Sequence, residues 1–374
     1  MADAGNKTVA VGEGAAASRV WTAASAGFEA ARHFDPSPRA PRGKGLHGHG
    51  FKVSAFVADA EAAFPGGEVA MLRRNLREAV EPLDYAHLNQ WIDSPDDLAL
   101  ARWIGARPGI AGAARIALRS TAGQGVDIDA GGRAQIWRRY AFQAAHWLPR
   151  VPPGHKCGRM HGHGFEVVIH AWADEGIDAA VLDAAWEPLR ATLDFHCLND
   201  LEGLDNPTSE MLAAWLWRRL HAALPACASV TVFETASAGA NFDGHAWRIW
   251  KDFSFDSAVR LDHAPPDAPE SRLHGHTFDL RLQLRAPLDD VQGWILDYGD
   301  VKTLFDPVFK ALDHRPLHAM DGLPGADTGS LAAWVLHATS QALPQLARVD
   351  LMETPGCGCI VGVEPNLATL PVLD

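Results

Sequence analysis

Cysteine is scarce: there are five in 374 residues, at positions 157, 197, 227, 357 and 359. That excludes a disulfide framework and makes a reducing cytoplasm the expected compartment. Positive charge is in deficit, with 33 Lys and Arg against 46 Asp and Glu and a formal net charge of −13. Such a surface repels nucleic acid and anionic membranes unless a local basic patch intervenes, so neither is an expected partner. No apolar run approaches the roughly 18–20 residues that cross a bilayer. The Ala/Gly-rich first twenty residues are broken by Asp3, Lys7 and Glu13, so no signal peptide is expected. Tyrosine occurs three times against thirteen tryptophans, which carries no functional meaning that we can assign. What is present is material for a core: 47% hydrophobic and 21% charged residues, in a length that suits two or three domains.

The chain repeats itself. His-Gly-His begins at His47, His161 and His274, spaced by 114 and 113 residues. Each copy continues as an alternating strand (HGHGFKVSAFV, HGHGFEVVIHAW, HGHTFDLRLQL) and follows a Phe-led strand from Phe28, Phe142 or Phe253. Downstream come a Leu-Asp pair (Asp84, Asp194, Asp313) and then a helical stretch with Trp103, Trp215 or Trp334 in register. Two copies end in Glu-Thr, at Glu234–Thr235 and Glu353–Thr354, where the first has Ser120–Thr121. Landmarks in one order at one period mean three homologous units. We bound them at residues 20–132, 133–246 and 247–366, with seams at Gly131–Gly132 and from Gly244 to Ala246.

Within a unit the periodicity reads strand, strand, helix, helix, strand, strand. His161, His163, Phe165, Val167 and Ile169 share one strand face. Val181, Leu182, Ala185, Trp186, Leu189 and Leu193 recur at helical spacing, and Thr208-Ser209-Glu210 is a helix-start pattern. One unit alone leaves a four-stranded sheet with open edges. Three in a ring pair those edges. The expected fold is therefore α+β, a pseudo-threefold, twelve-stranded antiparallel barrel with helices outside.

The chemistry concentrates in the second unit, YAFQAAHWLPRVPPGHKCGRMHGHGFEVV. His161 and His163 project together from one strand, and His146 comes from the strand before it. Three imidazoles with an open fourth position suit a catalytic zinc. His-x-His on its own is more often two polar strand positions. Cys157 alters that balance, because it lies beside Lys156 and Arg159 and near the expected dication, surroundings that favour a thiolate.

At these residues the unit resembles the 6-pyruvoyl-tetrahydropterin synthase family, and most of all its 6-carboxytetrahydropterin synthase branch, which serves queuosine (7-deazaguanine) synthesis. FQAAH, VPPGHKCGRMHGH, LD-x-x-x-LND, GLDNPTSE and VFETASAG carry the resemblance from Tyr140 to Gly244. It implies the tunnelling fold, with rings that stack in pairs; one chain here supplies a ring, so a homodimer is implied. It also implies that His146, His161 and His163 bind Zn2+, that Cys157 is the base and that Glu234 anchors the pterin. Thr235 and the Glu353–Thr354 pair are further substrate-binding candidates, with Lys156 and Arg159. The implied substrate is 7,8-dihydroneopterin triphosphate, from which triphosphate is eliminated. The alternatives are 6-pyruvoyl-tetrahydropterin synthesis, cleavage of the dihydroneopterin side chain in folate synthesis, or a non-catalytic pterin-binding protein.

The family pattern breaks in each unit. The second has Phe195 where the family has the His of its catalytic Asp-His pair. The third keeps Asp313–His314 but has Val259 at the first ligand position and Glu270 for the cysteine. The first has Arg32, Gly43, Tyr85 and Ser120 at the four positions and reads as structural. Units two and three together hold one full set. The expectation is therefore one composite site at their junction, with Asp313 and His314 serving the zinc centre of the second unit.

Overall fold

In the computed structural model, residues 18–34, 45–174, 176–323 and 325–362 are described. The expectation for Gly43 and the outer limit of the third unit fall outside them. The first unit runs β1 (Arg19–Arg32), β2 (His47–Ala58), α1 (Glu68–Val80), β3 (Ala86–His87), α2 (Asp97–Gly105), β4 (Arg115–Thr121) and β5 (Gln124–Asp129). The second runs β6 (Ala134–His146), β7 (His161–Trp172), α3 (Ala179–Leu193), β8 (His196–Cys197), α4 (Ser209–Ala223), β9 (Cys227–Thr235) and β10 (Ala238–Phe242). The third runs β11 (Trp247–Val259), β12 (His274–Arg285), α5 (Tyr298–Leu312), α6 (Thr328–Ser340), β13 (Leu346–Thr354) and β14 (Cys357–Gly362).

The four long strands of each unit pair antiparallel, and β5–β6, β10–β11 and β14–β1 join one unit to the next. The ring of twelve long strands is therefore closed, as its open edges required. The two-residue strands β3 and β8 lie outside that ring, parallel to β1 and β6.

Strand alternation splits the side chains between two environments. Phe165, Val167 and Ile169 pack beneath α3 and α4 with Leu182, Trp186, Leu212 and Leu216, and each of the other units has its own apolar core of the same make-up. The opposite strand faces turn into the barrel, where buried ion pairs such as Arg115–Asp127 and Arg348–Asp350 satisfy one another. The helices begin where the sequence places caps: the side chains of Asp178 and Thr208 accept N–H bonds from Val181 and Met211.

The Leu-Asp landmark is a structural tie. The Oδ1 atoms of Asp84, Asp194 and Asp313 accept the backbone N–H of Glu29, Gln143 and Asp256, at 2.9, 2.9 and 3.2 Å. The next residue in each unit, Tyr85, Phe195 or His314, donates its N–H back to the carbonyl of the same strand residue. Those three residues hold φ of 52–58°, a left-handed conformation uncommon outside glycine. The double tie holds each helix end on its first strand and turns the following side chain outward.

Candidate metal centre

β6 and β7 pair so that His146 faces His161 across the last rung, and His163 follows two residues along. Their shared face is the helix-covered one, where Phe165 closes the site from below with its ring 5.5 Å from that of His146. His146, His161, His163 and Glu234, from the end of β9, bring one ligand atom each to within 4.8 Å of one another.

The imidazoles are oriented as metal ligands usually are. Nδ1 of His146 lies 3.1 Å from the Pro207 carbonyl, and Nδ1 of His161 lies 2.8 Å from the Arg159 carbonyl. A ring that donates from Nδ1 keeps the lone pair on Nε2. Nε2 of His146 and of His163 is buried without a hydrogen-bond partner. Burial holds His146 below the usual histidine range, which keeps the ring neutral. Burial raises the Glu234 pKa, but its approach to His163, His146 and His161 outweighs that and holds the carboxylate low. A nitrogen-rich cluster with two orphaned ring nitrogens fits a divalent cation of zinc type.

Several residues stand where the sequence did not put them. Glu234, read from the resemblance as a substrate anchor, has Oε1 3.4 Å from Nε2 of His163 and 3.9 Å from Nε2 of His146. Its carboxylate therefore borders the triad on the side expected to be open. Cys157 lies in a short turn, Lys156–Gly158, whose N-terminal cap is the His155 side chain. Among the protein groups around it, burial and the Glu234 and Asp297 carboxylates raise its pKa, and Lys156 opposes them. Arg159 serves through its backbone carbonyl. Thr235 and Thr354 are the terminal residues of β9 and β13.

The composite site is also corrected. The third unit does meet the second, but with the leading end of α5: Oδ2 of Asp297 is 3.4 Å from Nε2 of His155, and the Trp294 ring packs on His155. At the same seam the Ile295 N–H donates to Glu210, and the Ser209 and Tyr298 hydroxyls lie 2.9 Å apart. Burial raises Glu210 to about 7. Asp313 and His314 stand at the far end of α5, whose fifteen residues span about 22 Å at 1.5 Å each. Nδ1 of His314 is 2.9 Å from Oδ1 of Asp313, so the pair is formed, yet it is not brought to Cys157 of its own chain. No sequence signal marked His155, Asp297 or Glu210 as site residues, because they meet only across the seam.

The other two units show what happens at the same place without the triad. In the first, Arg32 pairs with His47 as His146 pairs with His161. Its Nη1 donates to Oδ1 of Asp97 at 2.8 Å and to the Pro95 carbonyl at 2.9 Å, and Ser120 donates to Oδ2 of Asp97 at 2.6 Å. In the third, Val259 pairs with His274, and Glu353 accepts a hydrogen bond from Thr328.

The sequence profile described as 6-pyruvoyl tetrahydropterin synthase matches twice in tandem, over residues 135–245 and 248–364. The 6-carboxy-5,6,7,8-tetrahydropterin synthase of Synechocystis sp. is 37% identical over 119 residues, which are 29% of this chain and 91% of that protein. The dihydroneopterin monophosphate aldolase of Pyrococcus furiosus is 33% identical over 109 residues, 28% of this chain and 89% of that one. Among solved structures, the 6-pyruvoyl tetrahydropterin synthase of Caenorhabditis elegans aligns over 30% of this chain and 92% of its own, at 22% identity and a TM-score of 0.28. Two matched units cover more than half of the chain, and they contain both the His cluster and its degenerate counterpart: the chain belongs to the 6-pyruvoyl tetrahydropterin synthase family.

Proposed function

We propose that the chain is a zinc-dependent pterin synthase acting on 7,8-dihydroneopterin triphosphate, and that its product is the 6-carboxytetrahydropterin of the queuosine pathway. The observation that carries this is the convergence of three imidazoles, two of them fixed through Nδ1 by backbone carbonyls. The Synechocystis relative supports the carboxy branch. His146, His161 and His163 hold the metal. When bound, zinc acts as a Lewis acid on a substrate oxygen. Cys157 exchanges a proton with the substrate side chain, and Glu234 turns its carboxylate to the paired N–H groups of the pterin, a directional charge-assisted contact. Glu353 lines a separate pocket in the third unit. Five unpaired thiols suit the cytoplasm.

In this reading the Asp313–His314 pair serves the zinc centre of a second chain. The His314 side chain is 75% exposed. At the same end of the barrel the outward residues repeat threefold: Leu46, Met160 and Leu273 precede the His-Gly-His strands, and Tyr85 and Phe195 take the place of His314. An exposed apolar ring of this kind is a contact surface. Two chains stacked on it form a homodimer in which each supplies the histidine that the other's second unit lacks.

The test is zinc content together with product analysis. We expect about one zinc per chain and conversion of 7,8-dihydroneopterin triphosphate to the 6-carboxy product. The Pyrococcus relative and Glu270 favour a second reading, side-chain cleavage of a dihydroneopterin, and release of glycolaldehyde without triphosphate elimination would select it. Glu234→Gln should keep its zinc and lose substrate binding; loss of zinc would make Glu234 a ligand.

A further inference from the structure

The barrel interior holds a cavity of about 90 Å³ where the first and second units meet, and nothing in the zinc chemistry uses it. Lys52, Arg115, Arg119 and Arg139 line it against one carboxylate, that of Asp127. In a chain of net charge −13 this is a local excess of positive charge. Nε and Nη2 of Arg115 donate to Oδ1 of Asp127 at 3.2 and 2.7 Å, and the Phe56 ring, 5.4 Å from Cζ, backs the guanidinium. Nη1 of this arginine, whose side chain is buried, has no hydrogen-bond partner among the described residues. On the far side of Asp127, Nε2 of His170 stands 3.6 Å from Oδ2, and Nδ1 of the same buried ring is likewise unpartnered. Buried polar atoms left unmatched are costly, so this pair calls for a polar guest.

The seam between the second and third units shows the same frame already filled. Trp250 lies over Gly239 as Trp137 lies over Gly125, where a Cβ would come within 2.5 and 2.6 Å of the rings. Arg281 packs on Trp250, its Cζ 5.1 Å from the ring centre, and donates through Nε and Nη2 to the Asp252 carboxylate at 2.7 and 2.9 Å. The first seam has Val168 at the place of Arg281 and Arg139 at that of Asp252. Val168 leaves the room that a guanidinium would fill, and Arg139 puts a cation where the acid stood. Even with Glu166 3.3 Å from Arg139, cations outnumber acids here. One seam is neutralised from within, and the other keeps both space and charge.

We infer that this cavity binds a single inorganic oxyanion of the hydrogenphosphate type inside the barrel. Nη1 of Arg115 donates to one of its oxygens, a charge-assisted hydrogen bond. A His170 ring that turns its Nε2–H toward Asp127 keeps a lone pair on Nδ1, which accepts the O–H of the anion. Lys52, Arg119 and Arg139 supply the balancing charge. Hydrogenphosphate offers both the acceptor oxygens and the O–H, whereas sulfate at neutral pH has no O–H to give. The cavity shares Arg115 and Asp127 with a space of about 720 Å³ at the barrel end that carries the β5–β6 and β10–β11 turns, which gives an ion a way in. The inference does not depend on the reaction at the zinc centre.

The test is calorimetric titration of the full chain with inorganic phosphate at neutral pH, with sulfate as control. About one equivalent of phosphate should bind, and sulfate should bind at least about tenfold more weakly, for want of one hydrogen bond. The His161→Ala chain should bind phosphate equally, since the zinc centre takes no part. Arg115→Lys keeps a cation beside Asp127 but loses the free Nη1, and should weaken phosphate at least about tenfold. If that variant fails to fold, Arg139→Gln, at a partly exposed position, must produce the same loss. Absence of phosphate binding overturns the proposal, as does its loss in the His161→Ala chain. So does equal binding of sulfate, or phosphate binding that survives both Arg115→Lys and Arg139→Gln.

Discussion

At the end of its first strand the first unit carries Arg32 and the second carries His146, each facing the first histidine of His-Gly-His across the same rung. Arg32 brings five donors and a fixed charge, so it recruits an acid: Asp97 and the Pro95 carbonyl bind it, and the space is filled from within. His146 brings one lone pair and can be neutral, and it joins two further imidazoles whose Nε2 atoms point to a common centre. The backbone frame is the same in both. The difference teaches that the fold supplies a position, and that one side chain decides whether it becomes an internal ion pair or a cluster of imidazoles able to hold a metal.

Ligand removal should break the comparison most sharply. His161→Ala should abolish zinc binding and turnover, whereas His47→Ala, at the equivalent place in the first unit, should leave zinc content at its original value by elemental analysis. Retention of zinc by the His161→Ala chain would remove the basis for the metal centre.

Next in size is the histidine that the second unit lacks. His314→Ala should lower turnover by about 10²–10⁴-fold, the usual contribution of an acid–base group, without loss of zinc. Mixing inactive His161→Ala chains with inactive His314→Ala chains should restore activity, since each mixed dimer then holds one intact site. If mixtures that demonstrably exchange subunits stay inactive, the histidine does not act between chains. Cys157→Ala should likewise retain zinc and lose turnover.

The smallest effect on activity, and a clear one on stability, belongs to Arg32. Arg32→Ala leaves the largely buried Asp97 without its cation, and should lower unfolding stability by about 3 kcal/mol in a denaturant titration, with zinc content unaltered. A drop in zinc content as large as that of His161→Ala would mean the two positions are not separate.

Much of the fold was legible before any coordinates. The period of the landmarks implied three units, strand alternation separated the helix side from the barrel interior, and open sheet edges demanded a ring. The His triad was legible too, because His161 and His163 share a strand face and the Phe-led strand carries His146 beside them. Asp313 was legible as the equivalent of Asp84 and Asp194, but the tie that all three make between a helix end and a strand was not, because its partner lies more than fifty residues away. Around Cys157 the sequence neighbours Lys156 and Arg159 were legible, but the acids Glu234 and Asp297, which come from other elements, were not.

The sequence by itself determined which residues could act as ligands and which strands carry them, because periodicity is local: neighbours two apart on a strand must share a face. It also determined that three repeats would close on one another. Only the tertiary structure decided who meets whom across the seams. The handedness of the ring presents the leading end of α5 to the second unit, and that of α1 to the third. Asp297 therefore reaches His155, beside Cys157, and His314 does not, although the two are separated by a single helix. Contacts between units depend on the direction in which a closed barrel turns, and no pattern within a unit records that direction.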